Sequence, residues 1–311
     1  MLTRTGEGMN RMGWFGRLAA VAALCLSPLA ATAAEIVTAL GPVSVKDGPK
    51  SVAVYDVAAI DTLLYLGVRP TGTPKKLFVP ELEAKLKGTM PVGILQDPDL
   101  EALSALAPDL IIVGGRSSHQ LANVRQVAPA IDMTIDGKDL LAAARRRLSA
   151  YGHLFGRQAE AKAAEERIDT AVEAARKAVA GRGRALIVMT NGPKLSAYGT
   201  ASRFGWLHSE LGIPPAVPEL GAALHGEVVS FEFIRKANPD WLIVLDRTAA
   251  IGETGASAKA TLSNDLVAQT VAGRTGQIVH LPPADFYIAA GGVSATLRVL
   301  ARIEEQFRAA P

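Results

Sequence analysis

The chain has 311 residues, 49% of them hydrophobic, 20% charged and 5% aromatic, with a formal net charge of +3. That balance excludes a basic nucleic-acid footprint, and the aromatic residues are too sparse for a base-stacking platform. The single cysteine excludes a disulfide framework within the chain.

Arg4, Arg11 and Arg17 precede an apolar run from Leu18 to Leu29, and Ala31-Thr32-Ala33-Ala34 supplies an A-x-A cleavage site. Residues 1–34 therefore read as a secretory signal peptide, cut after Ala33 or Ala34, and the mature protein is expected to be exported and soluble. The run is too short for a comfortable membrane span, and no later stretch reaches the roughly 18 apolar residues a span needs. Cys25 falls inside the leader, and Leu24 before it is a poor match to lipoprotein processing. The mature chain then has no thiolate metal site and no cysteine nucleophile. Removal of the three leader arginines with Glu7 leaves about +1.

Residues 35–156 read as a first lobe. Ser51 to Tyr55 is a strand, and Asp56 caps a helix whose apolar face is Ile60, Leu63 and Leu64, stopped by Gly67. Loops rich in Pro and Gly run from Arg69 to Pro80. From 157 to 180 the apolar positions Ala161, Ala164, Ile168, Ala171, Val172, Ala175 and Val179 follow a 3.6 period, with Glu173 and Lys177 paired at i,i+4. At about 1.5 Å per residue this is a rod of about 36 Å, long enough to connect two lobes, although the periodicity alone also fits an ordinary surface helix. Residues 181–311 form the second lobe, from the strand Ala185 to Thr190 to a helix through Leu297, Leu300 and Phe307.

One pattern occurs in both lobes. Asp99-Leu100-Glu101, then Pro108-Asp109-Leu110-Ile111-Ile112-Val113, ends in Arg116; Ser230-Phe231-Glu232, then Pro239-Asp240-Trp241-Leu242-Ile243-Val244, ends in Arg247. In each copy the Glu opens a helix seven residues before Pro-Asp, and the Arg follows fifteen residues after the Glu. Pro-Asp before an apolar run is a turn feeding a buried parallel strand. An Arg just past the carboxyl end of such a strand stands where open α/β sheets place ligands. The expected fold class is α/β, with two Rossmann-like lobes facing one another across a cleft.

The chain lacks G-x-S-x-G, P-loop, G-x-G-x-x-G and H-E-x-x-H patterns. None of its five histidines shares a chelating i,i+4 helix with another. Three segments with Gly neighbours read as functional loops: Ser196 to Gly205 bearing Arg203, His225-Gly226-Glu227, and Asp285-Phe286-Tyr287 before Ala289-Ala290-Gly291-Gly292. Each residue also has an ordinary alternative: Arg116 as a carbonyl cap, Arg203 as a surface ion pair, His225 as a turn residue, Tyr287 as a packed aromatic.

Taken together, Ser196 to Phe204, Leu224-His225-Gly226, Asn238 to Arg247 and Phe286-Tyr287 resemble the periplasmic substrate-binding proteins of iron-siderophore ABC importers, over nearly all of the mature chain. Within that family these segments are most similar to the members that bind ferric catecholates of the enterobactin or petrobactin type. The resemblance implies the class III periplasmic binding protein fold with a rigid connecting helix and a monomer with no permanently bound cofactor. It implies Arg116, Arg203 and Arg247 lining the cleft, and His225 and Tyr287 binding Fe(III) directly when the siderophore is tetradentate. It also implies that Glu101 and Glu232 dock to the permease dimer. Plain helix N-terminal stabilisation, about 0.3 to 1 kcal/mol, is the other explanation of these two acids. Haem is the alternative cargo, with His225 or Tyr287 as axial ligand. A metal-dependent enzyme on the same scaffold and a cargo-free docking protein are the alternatives of other classes.

Overall fold

The computed structural model describes residues 33–310 apart from 136, 222, 224 and 225. The expected signal peptide lies almost entirely outside the described residues, and its A-x-A site runs into the first strand. β1 (Ala33–Thr38) and β2 (Gly41–Lys46) form an antiparallel hairpin. Among the described residues no helix is long and apolar enough to cross a membrane.

The first sheet contains β3 (Val52–Val54), β4 (Gly72–Thr73), β5 (Met90–Pro91), β6 (Leu110–Val113) and β7 (Ala130–Asp132) in the order β5-β4-β3-β6-β7, every pair parallel. Leu110 to Val113 are fully buried, as a strand covered on both faces must be. The second sheet contains β8 (Ala185–Asn191), β9 (Lys194–Tyr198), β10 (Glu227–Val229), β11 (Trp241–Asp246) and β12 (Ile278–His280) in the order β10-β9-β8-β11-β12. β8, β11 and β12 run parallel, but β9 is antiparallel to both β8 and β10. Ser196 to Tyr198 and Glu227 are therefore strand residues, not the loop expected there. The tight Gly192-Pro193 turn brings Lys194 back opposite Asn191 and starts a hairpin.

The repeated motif has a structural explanation in both copies. Asp99 caps the helix Leu100–Leu106 through the N–H groups of Glu101 and Ala102, and Ser230 caps Phe231–Ala237 through that of Phe233. Each helix ends in a left-handed residue directly before the proline, Ala107 at φ 46° and Asn238 at φ 40°. The aspartate after the proline then holds the start of the neighbouring strand. Asp109 Oδ2 accepts from the N–H groups of Lys50 and Ser51, both at 2.9 Å, and Asp240 Oδ2 accepts from Arg184 N–H at 2.7 Å.

The helix Gln158–Val179 connects the two sheets; its 22 residues span about 33 Å. It buries Ala164, Ile168, Val172 and Ala175 and packs along the last helix, Val293–Ala309. One continuous core joins Val54 and Ile112 of the first sheet, this helix, and Ile187 and Ile243 of the second. Trp241 stacks on Phe307 at 3.7 Å between centroids, fixing the last helix to the second sheet. The exposed Glu173–Lys177 pair, 3.8 Å apart, adds little. Each sheet reverses its strand order beside its first strand, between β3 and β6 and between β8 and β11. The crevice outside the carboxyl ends at such a point is the general ligand position of open α/β sheets.

Candidate functional site

Arg116 leaves β6 through Gly114-Gly115. A Cβ on Gly114 would lie 2.0 Å from Asp56 Oδ2, so the chain after β6 can pass the carboxyl end of β3 only without a side chain there. Ser117, fully buried, accepts from Gly114 N–H at 3.1 Å and closes the turn that presents Arg116. On the other sheet, Arg203 follows β9, and its guanidinium lies 5.0 Å from the Phe204 ring centre. Phe204 packs edge-on to Tyr198 at 4.7 Å and stacks on Phe286 at 4.5 Å, so Arg203 rests on a rigid aromatic wall. Arg247 follows β11 and donates to Asn191 Oδ1, at the end of β8, at 3.1 Å.

These cations converge on Tyr287. It ends a short helix, Pro283–Tyr287, where a loop is expected from the sequence; Pro283 starts the helix with a preset φ. The Arg116 and Arg203 guanidinium carbons are each 4.9 Å from the Tyr287 ring centre, and both side chains donate to its carbonyl at 3.4 Å. Arg247 faces the phenol closely enough to favour its ionised form. Arg116, Arg203 and Tyr287 line a cavity of about 360 Å³.

Burial works to raise the Tyr287 phenol pKa. The nearby Arg247 guanidinium and the charges of Arg116 and Arg203 outweigh it, so the net shift is downward. Burial also lowers the Arg203 pKa, and the Arg116 charge adds to that. Among the described residues none of the three arginines forms an ion pair with a carboxylate. The arrangement is a half-buried cluster of positive charge around one oxygen donor, chemically suited to a multiply charged anion. Among the described residues no group of three or more His, Cys, Asp or Glu is placed to hold a metal ion.

Of the residues singled out from the sequence, the structure brings Arg116, Arg203, Arg247 and Tyr287 together. His225 lies outside the described residues; its neighbour Gly226 packs against the Tyr198 ring. Glu101 and Glu232 are both exposed in the first turns of their helices. Sequence reasoning missed the rest of the cavity wall. Tyr55, whose hydroxyl donates to the Val92 carbonyl, and Asp56 both line it. Asp56 was legible as a helix cap, a role it has through the N–H groups of Ala58 and Ala59, but not as a cavity residue. Burial raises its carboxyl pKa against the opposing effects of Arg147, 4.0 Å away, and of those N–H groups.

Comparison with known proteins adds a lineage to this geometry. Residues 52–284 match a family model described as Periplasmic binding protein. The petrobactin-binding protein YclQ of Bacillus subtilis is 32% identical over 266 residues, 84% of this chain and 83% of that protein. The ferric-anguibactin-binding protein FatB of Vibrio anguillarum is 31% identical over 267 residues, 82% of each chain. The crystal structure of YclQ superposes with a TM-score of 0.84 at 31% identity, covering 89% of this chain and 99% of that one. The periplasmic catecholate-siderophore binding protein VctP from Vibrio cholerae superposes with a TM-score of 0.82 at 29% identity, covering 88% of this chain and all of that one.

Proposed function

Because the chain belongs to the periplasmic binding protein family, we propose that it captures a ferric catecholate siderophore in the cleft between its sheets and delivers it to an ABC importer. The lobes are residues 35–156 and 181–311, joined by 157–180, and the protein acts as a periplasmic monomer after loss of its signal peptide. The observation that carries the reading is Tyr287, a phenol with a lowered pKa held among Arg116, Arg203 and Arg247. The relatives named for petrobactin, ferric anguibactin and catecholate siderophores point to the same class of cargo.

The chemistry follows from iron. Fe(III) is a hard cation best served by oxygen donors, and catecholates supply them as charged pairs. A tris-catecholate complex carries three net negative charges, which the three guanidiniums offset by charge-assisted hydrogen bonds to the catecholate oxygens. A bis-catecholate leaves two iron positions open. The Tyr287 phenolate and a His225 imidazole nitrogen fill them, and the metal's own charge favours loss of the phenol proton. The ligand undergoes no bond change, so the protein needs neither nucleophile nor general base and is not an enzyme. Glu101 and Glu232, one per lobe, meet basic pockets of a two-subunit permease.

Titration of the protein's intrinsic fluorescence with ferric catecholates, ferric hydroxamates, ferric citrate and haem tests the assignment. Trp206 lies 6.3 Å from Phe286, the residue before Tyr287, so a bound iron complex should quench it. Tighter binding of a hydroxamate or haem than of every catecholate by more than about tenfold, about 1.4 kcal/mol, overturns the assignment.

A further inference from the structure

The segment after Tyr287 is anchored by a residue from the other lobe. The last helix, Val293–Ala309, begins after Gly292, which has no side chain to cap it. Its first N–H groups need an acceptor, and Asp61 on the helix Val57–Tyr65 supplies one. Asp61 Oδ2 accepts from Ala295 N–H at 3.2 Å, and the neighbouring Ser294 also favours the ionised carboxylate. The approach is so close that a Cβ on Gly292 would lie 2.6 Å from Asp61 Oδ2. The same helix reaches the site again one turn later: Arg298 holds the buried Asp285 through bonds of 2.7 and 2.6 Å, two residues before Tyr287.

This cap is costly. Asp61 is fully buried, and its Oδ1 has no partner. A serine at 292 would cap the helix locally without burying a half-satisfied carboxylate. Stability of the helix alone does not account for the cross-lobe arrangement, whereas alignment of the lobes does.

We propose that Asp61 is a positioning residue for the ligand site: by capping the last helix from the opposite lobe it sets, through Arg298 and Asp285, where Tyr287 stands between Arg116 and Arg203. The consequence for ligand binding rests on Tyr287 being an iron ligand, as proposed above; the geometric consequence does not.

The test uses ligand-free protein carrying fluorotyrosine, read by fluorine NMR. The five tyrosines give separate signals, and Tyr287→Phe identifies the one of interest. Asp61→Gly should shift or broaden the Tyr287 signal and leave those of Tyr151 and Tyr198, away from its own helix, in place, while Asp61→Asn, which keeps an acceptor, should stay near the parent. Asp61→Gly with Gly292→Ser should regain melting temperature through a local cap without restoring the Tyr287 signal. Arg298→Lys, which cannot keep both bonds to Asp285, breaks the same path from its other end and serves should Asp61→Gly not fold. With ligand, Asp61→Gly should lose about tenfold for a ferric bis-catecholate and much less for a tris-catecholate. An unmoved Tyr287 signal in folded Asp61→Gly and Arg298→Lys, or its full recovery on adding Gly292→Ser, overturns the proposal. Failure of Tyr287→Phe itself to weaken the bis-catecholate overturns the iron-ligand reading instead, and the ligand-free signal still judges Asp61.

Discussion

Arg116 and Tyr287 meet across the cleft, the guanidinium carbon 4.9 Å from the ring centre and an Nη2 donor 3.4 Å from the tyrosine carbonyl. Arg116 follows the fourth strand of one parallel sheet, and Tyr287 belongs to a helix that follows the last strand of the other. Their contact therefore reports the spacing of the lobes. It is also incomplete as an interaction, because a long bond to a neutral carbonyl leaves the cation unneutralised. Arg203 bonds the same carbonyl, and like charges accumulate around one phenol. On the proposed reading, a polyanion entering here would gain hydrogen bonds and relieve repulsion together.

Direct ligation by Tyr287 predicts a difference between ligands. Tyr287→Phe keeps the ring beneath the arginines and removes the oxygen donor. A tetradentate ferric bis-catecholate should bind more weakly, and its charge-transfer band should move toward that of the free complex. His225→Ala should act on the same ligand in the same direction. A hexadentate tris-catecholate already satisfies iron and should be affected much less. Equal losses for the two ligands would mean that these side chains only shape the cleft.

The charge frame behaves differently. Arg203→Ala or Arg247→Ala forfeits charge-assisted bonds worth about 1.5–3 kcal/mol, so each should weaken both ligand classes by about ten- to a hundredfold. Arg203→Lys should recover part of the loss, since the charge remains but the planar fork does not. Affinities from fluorescence titration decide the matter: full recovery by lysine would reduce Arg203 to a point charge.

Much of this site was legible because its determinants are local. The spacing from Glu101 to Arg116 repeats from Glu232 to Arg247, and strand, turn and cap each leave a mark within a few residues. The Gly192-Pro193 hairpin was harder to see, because the polar residues of Ser196 to Arg203 resemble a loop although Leu195 and Ala197 point into the core. Asp61 was illegible for a deeper reason. It sits in a helix whose apolar face, Ile60, Leu63 and Leu64, accounts for its packing, while its partner Ala295 is 234 residues away. No local pattern encodes such a contact.

The electrostatics of the site predict an order of tyrosine ionisation. The arginines hold Tyr287 below the ordinary phenol value of about 10, whereas burial pushes Tyr198 up to about 12 and raises Tyr55 and Tyr151 further. Ultraviolet titration of the ligand-free protein should show an early tyrosinate step that Tyr287→Phe removes and Arg247→Ala moves upward. For a phenol with a depressed folded-state pKa, the linked stability is absent below that pKa. It grows as pH climbs toward the unfolded value and is lost again as pH falls through the folded one. Parent protein should therefore gain stability relative to Tyr287→Phe over that window, as read by denaturant midpoints. A gain of the opposite sign would place Tyr287 outside the arginine field.

Glu101 and Glu232 give the last prediction, which concerns delivery rather than capture. Both are exposed on the first turn of a short helix capped by the residue two positions earlier, and each belongs to one copy of the repeated motif. The Ser230 hydroxyl and its own backbone N–H lower the Glu232 carboxyl pKa, so it presents a charge at any pH near neutrality. Because Asp99 and Ser230 already cap the two helices, neither glutamate is required to start its helix. Changing both to Ala should leave the melting temperature and the ligand affinity of the purified protein close to the parent, while iron uptake in cells supplied with the ferric catecholate is abolished. Each single change should have an intermediate effect, since a two-subunit permease would still be held at one lobe. Restoring uptake with Asp at either position would show that charge placement matters more than side-chain length. Loss of ligand binding in the purified double variant would instead make these acids part of the fold, and the docking assignment would be abandoned.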